Sequence, residues 1–257
     1  FLPVSSSAHL VLVPWVLGWR FDPAMEFVFD VLVQLGTLAA LVVYFWRDLV
    51  ALVQAALTGL VRRRPLADPT ARLAWLIVLA TIPAAVAGVA FKHLVEEAFQ
   101  SPAAVCALLL LTSALLFLGE WLGKKTRQVE SVDVADSIWI GLAQALALLP
   151  GVSRSGSTIA GGMLRGLRRP DAARFSFLMA VPVMLGAGAV ATKDLVTMPA
   201  AGAELAPIAA GFITAAVVGY LVIRWFLAFL ARRPLTFFAV YCAAIGALGL
   251  TFGLLHG

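Results

Sequence analysis

The chain has 257 residues, 62% of them hydrophobic and only 13% charged, with a net charge of +5. Soluble domains carry about 25% charged residues, so this composition excludes an ordinary water-soluble enzyme and points to a bilayer. The basic residues lie between apolar spans, not on one face or tail, which argues for membrane topology and against nucleic acid as a partner.

In chain order, the first apolar segment is Phe1–Leu17, interrupted by Pro3, Ser5, Ser6, Ser7 and Pro14. Three uninterrupted spans follow at Glu26–Trp46, Arg72–Phe91 and Pro102–Trp121. A second broken segment, Ile138–Leu164, contains Pro150, Gly151, Ser153, Arg154, Ser155, Gly156 and Ser157. Spans at Ala172–Thr192, Ala206–Leu230 and Leu235–Leu255 complete the chain. Each unbroken stretch is near the ~20 residues that cross ~30 Å of hydrocarbon. A straight membrane helix does not carry breaks of the other kind. Irregular backbone at membrane depth survives only where it is buried in protein or lines a wet cavity. Both broken segments therefore read as re-entrant helix–loop–helix hairpins. The fold class is an all-α polytopic integral membrane protein, with about six transmembrane helices plus the two hairpins. One domain spans residues 1–257. Cys106 and Cys242 lie inside apolar runs, which suits packing and not a disulfide or metal site. Gly249 and Gly253 form a small-xxx-small pair for helix packing.

Loop charge suggests the topology. Arg47, Arg62, Arg63, Arg64, Arg72, Lys124, Lys125, Arg127, Arg165, Arg168, Arg169, Arg232 and Arg233 fall in alternate connections. The other connections hold Arg20, Asp22, Lys92, Glu96, Glu97, Lys193, Asp194 and Glu204, close to balance. The positive-inside rule puts the first set in the cytoplasm. The first hairpin then enters from outside and the second from inside. An inverted repeat follows, with halves of approximately 1–122 and 137–257 and a linker at 123–136. Phe1–Ser7 aligns with Leu148–Ser155 with one inserted residue. Weaker matches in the same order join Phe27-Val28-Phe29 to Phe175-Ser176-Phe177, Arg47-Asp48-Leu49 to Lys193-Asp194-Leu195, and Ala84–Gly88 to Ala215–Gly219. In such designs the site lies where the broken helices meet.

The residues at the breaks suit an anion. Each loop precedes an apolar run, so a serine should cap a helix whose amides and dipole face a common centre. Arg154 sits at membrane depth without a neighbouring carboxylate, at ~2.5–3.5 kcal/mol on insertion scales, and a phosphate would satisfy it with paired hydrogen bonds. The alternatives are loop carbonyls or Asp30. Ser5 and Ser6 fall four and three residues before His9, on one face of a first helical turn. A hydroxyl beside an imidazole is the minimal pair for phosphoryl chemistry. Asp30 and Gln34 share a face one turn apart, where Asp30 could orient His9, balance Arg154 or help hold a cation. A transporter or flippase of lipid phosphates is the competing reading, since inverted repeats also build transporters.

Phe1–His9 (Phe-Leu-Pro-Val-Ser-Ser-x-x-His) and Pro150–Thr158 resemble the two signatures of the undecaprenyl-diphosphate phosphatases, the bacitracin-resistance family. Phe29–Gly36, Phe45-Trp46-Arg47 and Ala173–Leu178 are similar to intervening motifs, so the resemblance covers essentially the whole chain. It implies hydrolysis of undecaprenyl diphosphate to the monophosphate and phosphate, recycling the lipid carrier of cell-wall precursors and conferring bacitracin resistance. It implies a polyprenyl diphosphate substrate, a divalent cation (Mg2+ or Ca2+), and the bacterial inner membrane with a site open to the periplasm. It also admits a homodimer. By the same resemblance, Ser6 is the favoured nucleophile, Arg154 the phosphate clamp, and His9 an acid/base or the attacked group. Ser5, Ser7, Asp30, Gln34, Gly151, Ser153, Ser155 and Thr158 would line the substrate. The family carries two Glu four residues apart just before the first signature. This chain opens at Phe1, without Met or a signal-peptide pattern, and is expected to be a truncated record. Ser7-Ala8 replaces the commoner Thr-Gly.

Overall fold

A computed structural model describes residues 1–20, 23–197 and 205–256, without the side chains of 23–28, 190–197, 205–208 and 256. Asp22 and Glu204, and the side chains of Lys193 and Asp194, lie outside what is described. Within it, eleven α-helices and no strand form the fold. They are α1 (Ser6–Leu17), α2 (Pro23–Tyr44), α3 (Trp46–Val61), α4 (Pro69–Ala90), α5 (Lys92–Phe99), α6 (Pro102–Leu122), α7 (Val134–Leu146), α8 (Arg154–Leu164), α9 (Arg169–Thr197), α10 (Leu205–Leu230) and α11 (Thr236–His256). By length and apolarity α4, α6, α9, α10 and α11 can cross a membrane, and the bent pair α2–α3 makes up to six. The chain is an all-α polytopic membrane protein.

The helix starts follow local chemistry. Proline opens α4 and α6, where its missing N–H costs nothing. Asp68 caps α4 through the amides of Thr70 and Ala71 at 2.8 and 2.9 Å, so that helix begins before the expected Arg72. Ser101 caps α6 through Ala104. The first long connection, read from sequence as a cationic loop, is instead mostly α3. It leaves α2 at a 77° bend. The hinge is Phe45, whose buried ring meets Tyr44 and Phe177. The short α5 was also unforeseen and is exposed.

Helix α2 packs on α9 and α10, α4 on α7, α3 and α9, and α6 on α11 and α8. The larger core joins α9 to its neighbours through Phe175, Phe177, Phe226 and Phe238. A second core joins α1, α6 and α11 through Ala8, Leu12, Val105, Cys106, Leu109 and Cys242. Both cysteines are free and buried there, in packing roles. Gly249 lies against the Cys106 sulfur and Gly253 against the Trp15 ring, so both glycines serve close packing.

The segment of 134–164 is a re-entrant hairpin. Helices α7 and α8 pack on each other, with Gly161 against Ala143 and Trp139. Its two ends are tied at one place. The fully buried Asp136 receives Arg127 at 2.6 Å and Arg165 at 2.6 Å. Other ion pairs share that end of the bundle. Arg169 reaches both oxygens of Glu120 at 2.7 and 2.6 Å, and the Leu235 amide donates to the same carboxylate. Arg168 pairs with Asp171, and Arg174 with Asp48. Of the first broken segment, Phe1–Leu17, the described residues form a loop and one helix, α1.

Candidate active site

The loop before α1 is held residue by residue. The Cys242 thiol donates to the Pro3 carbonyl at 3.4 Å, and the Phe1 ring meets Phe177 edge-on at 5.7 Å. Ser5 is the N-cap. Its Oγ accepts from the Ala8 amide at 3.4 Å and lies 3.1 Å from the Ser7 hydroxyl. Its backbone sits at φ 61°, ψ 91°. Few non-glycine residues take positive φ, and strain of this kind costs about 1–3 kcal/mol. Ser6 follows on the exposed side, and its hydroxyl makes no hydrogen bond among the described residues.

The loop before α8 repeats the arrangement. Ser153 is the N-cap, its Oγ accepting from the Gly156 amide at 3.1 Å and lying 3.3 Å from the Ser155 hydroxyl. Ser5 and Ser153 thus occupy equivalent places, as do Ser7 and Ser155, and Ser6 and Arg154. Thr112 of α6 pins this loop. Its hydroxyl donates to the Gly151 carbonyl at 2.8 Å and accepts from the Ser153 amide at 2.9 Å. Gly151 has φ 103° and presses its backbone onto α6.

Both loops seat on one stretch of α6. Ala8 and Leu12 of α1 cluster with Val105 and Leu109. A Cβ on Gly151 would lie 2.4 Å from the Val105 oxygen and 3.1 Å from the Leu109 nitrogen. Two helix N-termini therefore sit on one stretch of α6, each with unpaired first-turn amides, which suits an anion. The only hydrogen bond of the Arg154 guanidinium among the described residues is to the Met184 thioether, at 3.3 Å. Sulfur is a weak acceptor, so most donors of the fork are left for a ligand.

Other expected site residues are placed differently. His9 does not pair with Ser6. Its Nδ1 lies 2.8 Å from the Ser5 carbonyl oxygen and its Nε2 2.7 Å from the Tyr241 hydroxyl, so both ring nitrogens are engaged. Thr158 is buried. Its hydroxyl bonds the Arg154 carbonyl and Ser176, on the side of α8 that packs against α9, and does not line the anion site. The hydroxyls of Ser5 and Ser153 are buried in capping and contact a ligand poorly. Ser7 and Ser155 are half-buried beside them. On α2, Asp30 is half-buried and Gln34 exposed. The residues do not by themselves fit a divalent cation: no three His, Cys, Asp or Glu side chains come together among the described residues.

The family model described as bacitracin resistance protein BacA matches residues 1–248. The chain belongs to this family. Among its BacA relatives is an undecaprenyl-diphosphatase of Rubrobacter xylanophilus, 46% identical over 96% of this chain and 91% of that protein. Another, from Moorella thermoacetica, is 46% identical over 96% of this chain and 90% of its own length. That of Geobacter sulfurreducens is 43% identical over 98% and 92%. The family match takes in both serine loops and every helix described except the end of α11.

Sequence reasoning missed Thr112, Met184, Ser176 and Tyr241. A threonine, methionine or tyrosine inside an apolar span gives no local sign of which loop it faces. Thr112 and Cys242 each bond a carbonyl in the loop they face.

Proposed function

We propose that this chain hydrolyses undecaprenyl diphosphate to undecaprenyl phosphate and inorganic phosphate, so recycling a lipid carrier of cell-wall synthesis. The observation that carries the reading is Arg154. It sits at the tip of a re-entrant hairpin with a thioether as its partner, at one of two helix N-termini seated on the same stretch of α6. An anionic oxygen pair is the ligand that such a group lacks. Membership of the BacA family supplies the lipid.

In the reaction, either water adds to the terminal phosphorus directly, or the Ser6 hydroxyl does and water then displaces the serine oxygen from the phosphoryl group, returning the hydroxyl; in both, the bond to the bridging oxygen breaks. The monophosphate leaves, and a proton ends on the released phosphates. Arg154 and the free amides of α1 and α8 hold the charge that spreads over the equatorial oxygens. Positioning and charge stabilisation dominate phosphoryl transfer. Ser6, exposed next to the capping Ser5, is the hydroxyl best placed to meet the phosphorus. A divalent cation would neutralise diphosphate charge if bound there; the described residues gather no cluster of three His, Cys, Asp or Glu to hold it.

The site opens to the periplasmic side in this reading. Support comes from the arginine-rich connections at the ion-pair end, which the positive-inside rule assigns to the cytoplasm of an inner-membrane protein. The two capped loops also suit an inverted-repeat assembly of halves near 1–122 and 137–257. The competing flippase reading needs no nucleophile, so variants discriminate. Full-length protein in detergent should release phosphate from a long-chain prenyl diphosphate. Ser6→Ala and Arg154→Ala should each lower turnover on the order of 100-fold or more. Unchanged turnover in both variants overturns the assignment.

A further inference from the structure

His9 and Tyr241 are 232 residues apart and meet through one hydrogen bond of 2.7 Å, with their rings within 9° of parallel. The direction of that bond follows from the other ring nitrogen. A carbonyl oxygen can only accept, so the contact of Nδ1 with the Ser5 oxygen at 2.8 Å requires a proton on Nδ1. The neutral imidazole then carries its lone pair on Nε2, and the Tyr241 hydroxyl donates to it.

The Ser5 carbonyl is half of the peptide unit whose other half is the Ser6 amide. The unit is planar, so fixing the carbonyl fixes the direction of the Ser6 N–H and the start of the Ser6 side chain. The amide that ordinarily holds an N-cap carbonyl does so weakly here, with His9 N at 3.4 Å from it. The ring of His9 takes over that task. It does so at the residue with φ 61°, which needs outside support to stay in that conformation. Cys242, the next residue of α11, holds Pro3 of the same loop.

We propose that Tyr241 is a positioning residue of the phosphoryl-transfer site. It donates to Nε2 of the Nδ1-protonated His9 and so holds the ring in the place from which Nδ1–H aims the Ser5–Ser6 peptide. The proposal rests on the phosphatase reading for its consequence in turnover, but not for the hydrogen-bond chain itself. A tyrosine present only for packing would be replaced by phenylalanine without effect on the imidazole.

The test has two arms on full-length protein in lipid nanodiscs. Nitrogen-15 NMR of the histidine rings, with His9 assigned by its loss in His9→Asn, reads the tautomer at a pH where the ring is neutral. Wild type should show Nδ1 protonated and Nε2 bare but hydrogen-bonded, and Tyr241→Phe should shift the Nε2 resonance as that nitrogen loses its donor. In the second arm, phosphate release should fall in Tyr241→Phe by about tenfold in kcat with KM nearly unchanged, as for loss of one positioning hydrogen bond. His9→Asn keeps an amide donor near the Nδ1 position and removes Nε2. In that background Tyr241→Phe should have no further effect. An Nε2-protonated His9 in wild type, an identical spectrum in Tyr241→Phe, or the same fold-loss in both backgrounds each overturns the proposal. No phosphate release by wild type, with the Nδ1 form intact, sinks the phosphatase reading and leaves the hydrogen-bond chain standing.

Discussion

Gly151→Ala tests whether the second loop must lie flat on α6. The new Cβ would stand 2.4 Å from the Val105 oxygen, 2.7 Å from the Leu108 Cβ and 3.1 Å from the Leu109 nitrogen. Two of those atoms are helix backbone and cannot swing aside. Ordinary contact begins at 3.4 Å, so the loop must retreat by roughly 1 Å, and a shift of that size at a reacting group lowers turnover on the order of 100-fold. Holding alanine at φ 103° adds about 1–3 kcal/mol of strain. Retreat also stretches both Thr112 hydrogen bonds, at 2.8 and 2.9 Å. The expected result is a melting midpoint lower by several degrees in detergent, together with a phosphate-release rate down about 100-fold. Wild-type values in both measurements would refute the close-approach argument.

Thr112→Val keeps the shape of the side chain but strands the Gly151 carbonyl and the Ser153 amide. Each buried group left unpaired costs about 1–3 kcal/mol, so thermal unfolding should shift clearly and an unmoved midpoint would count against the pinning role. Asp136→Asn should flatten the acid side of the stability profile. Burial alone would raise the Asp136 carboxyl, but hydrogen bonds from Arg127 and Arg165 outweigh it and hold it below the usual range. A depressed carboxyl stabilises above about pH 4, where the unfolded group is ionised, and that contribution disappears as pH falls through the folded value. Equal acid loss in variant and wild type would remove the carboxylate from the account. Thr158→Val should lower stability through its lost bonds to Arg154 and Ser176 while KM stays near wild type; a large rise in KM would return Thr158 to the anion site. Cys106 and Cys242, both buried, should react with a maleimide only after denaturation, and fast labelling of native protein would contradict their packing.

The spans were legible because a run of about 20 apolar residues has few other uses. The serine caps were legible because a polar residue before an apolar run has a helix end to satisfy. Helix α3 was not, since its bend at Phe45 comes from ring packing against Phe177, distant in sequence. The extra residues of α4 came from Asp68, a cap hidden among other polar residues. At the site, spacing put His9 and Ser6 on one turn, but it could not see that Tyr241 turns the imidazole the other way. Thr158 looked like part of the loop; the α8 register sends it into α9. Register and distant partners are tertiary facts, and one local motif does not contain them.

The stapled hairpin also acts as a depth gauge. Asp136 anchors both legs at one rim, and the descending leg, α7, has 13 residues. Its rise is about 20 Å, two thirds of a ~30 Å hydrocarbon layer. The separation of the guanidinium loop from that rim is therefore set by a helical strut of fixed length.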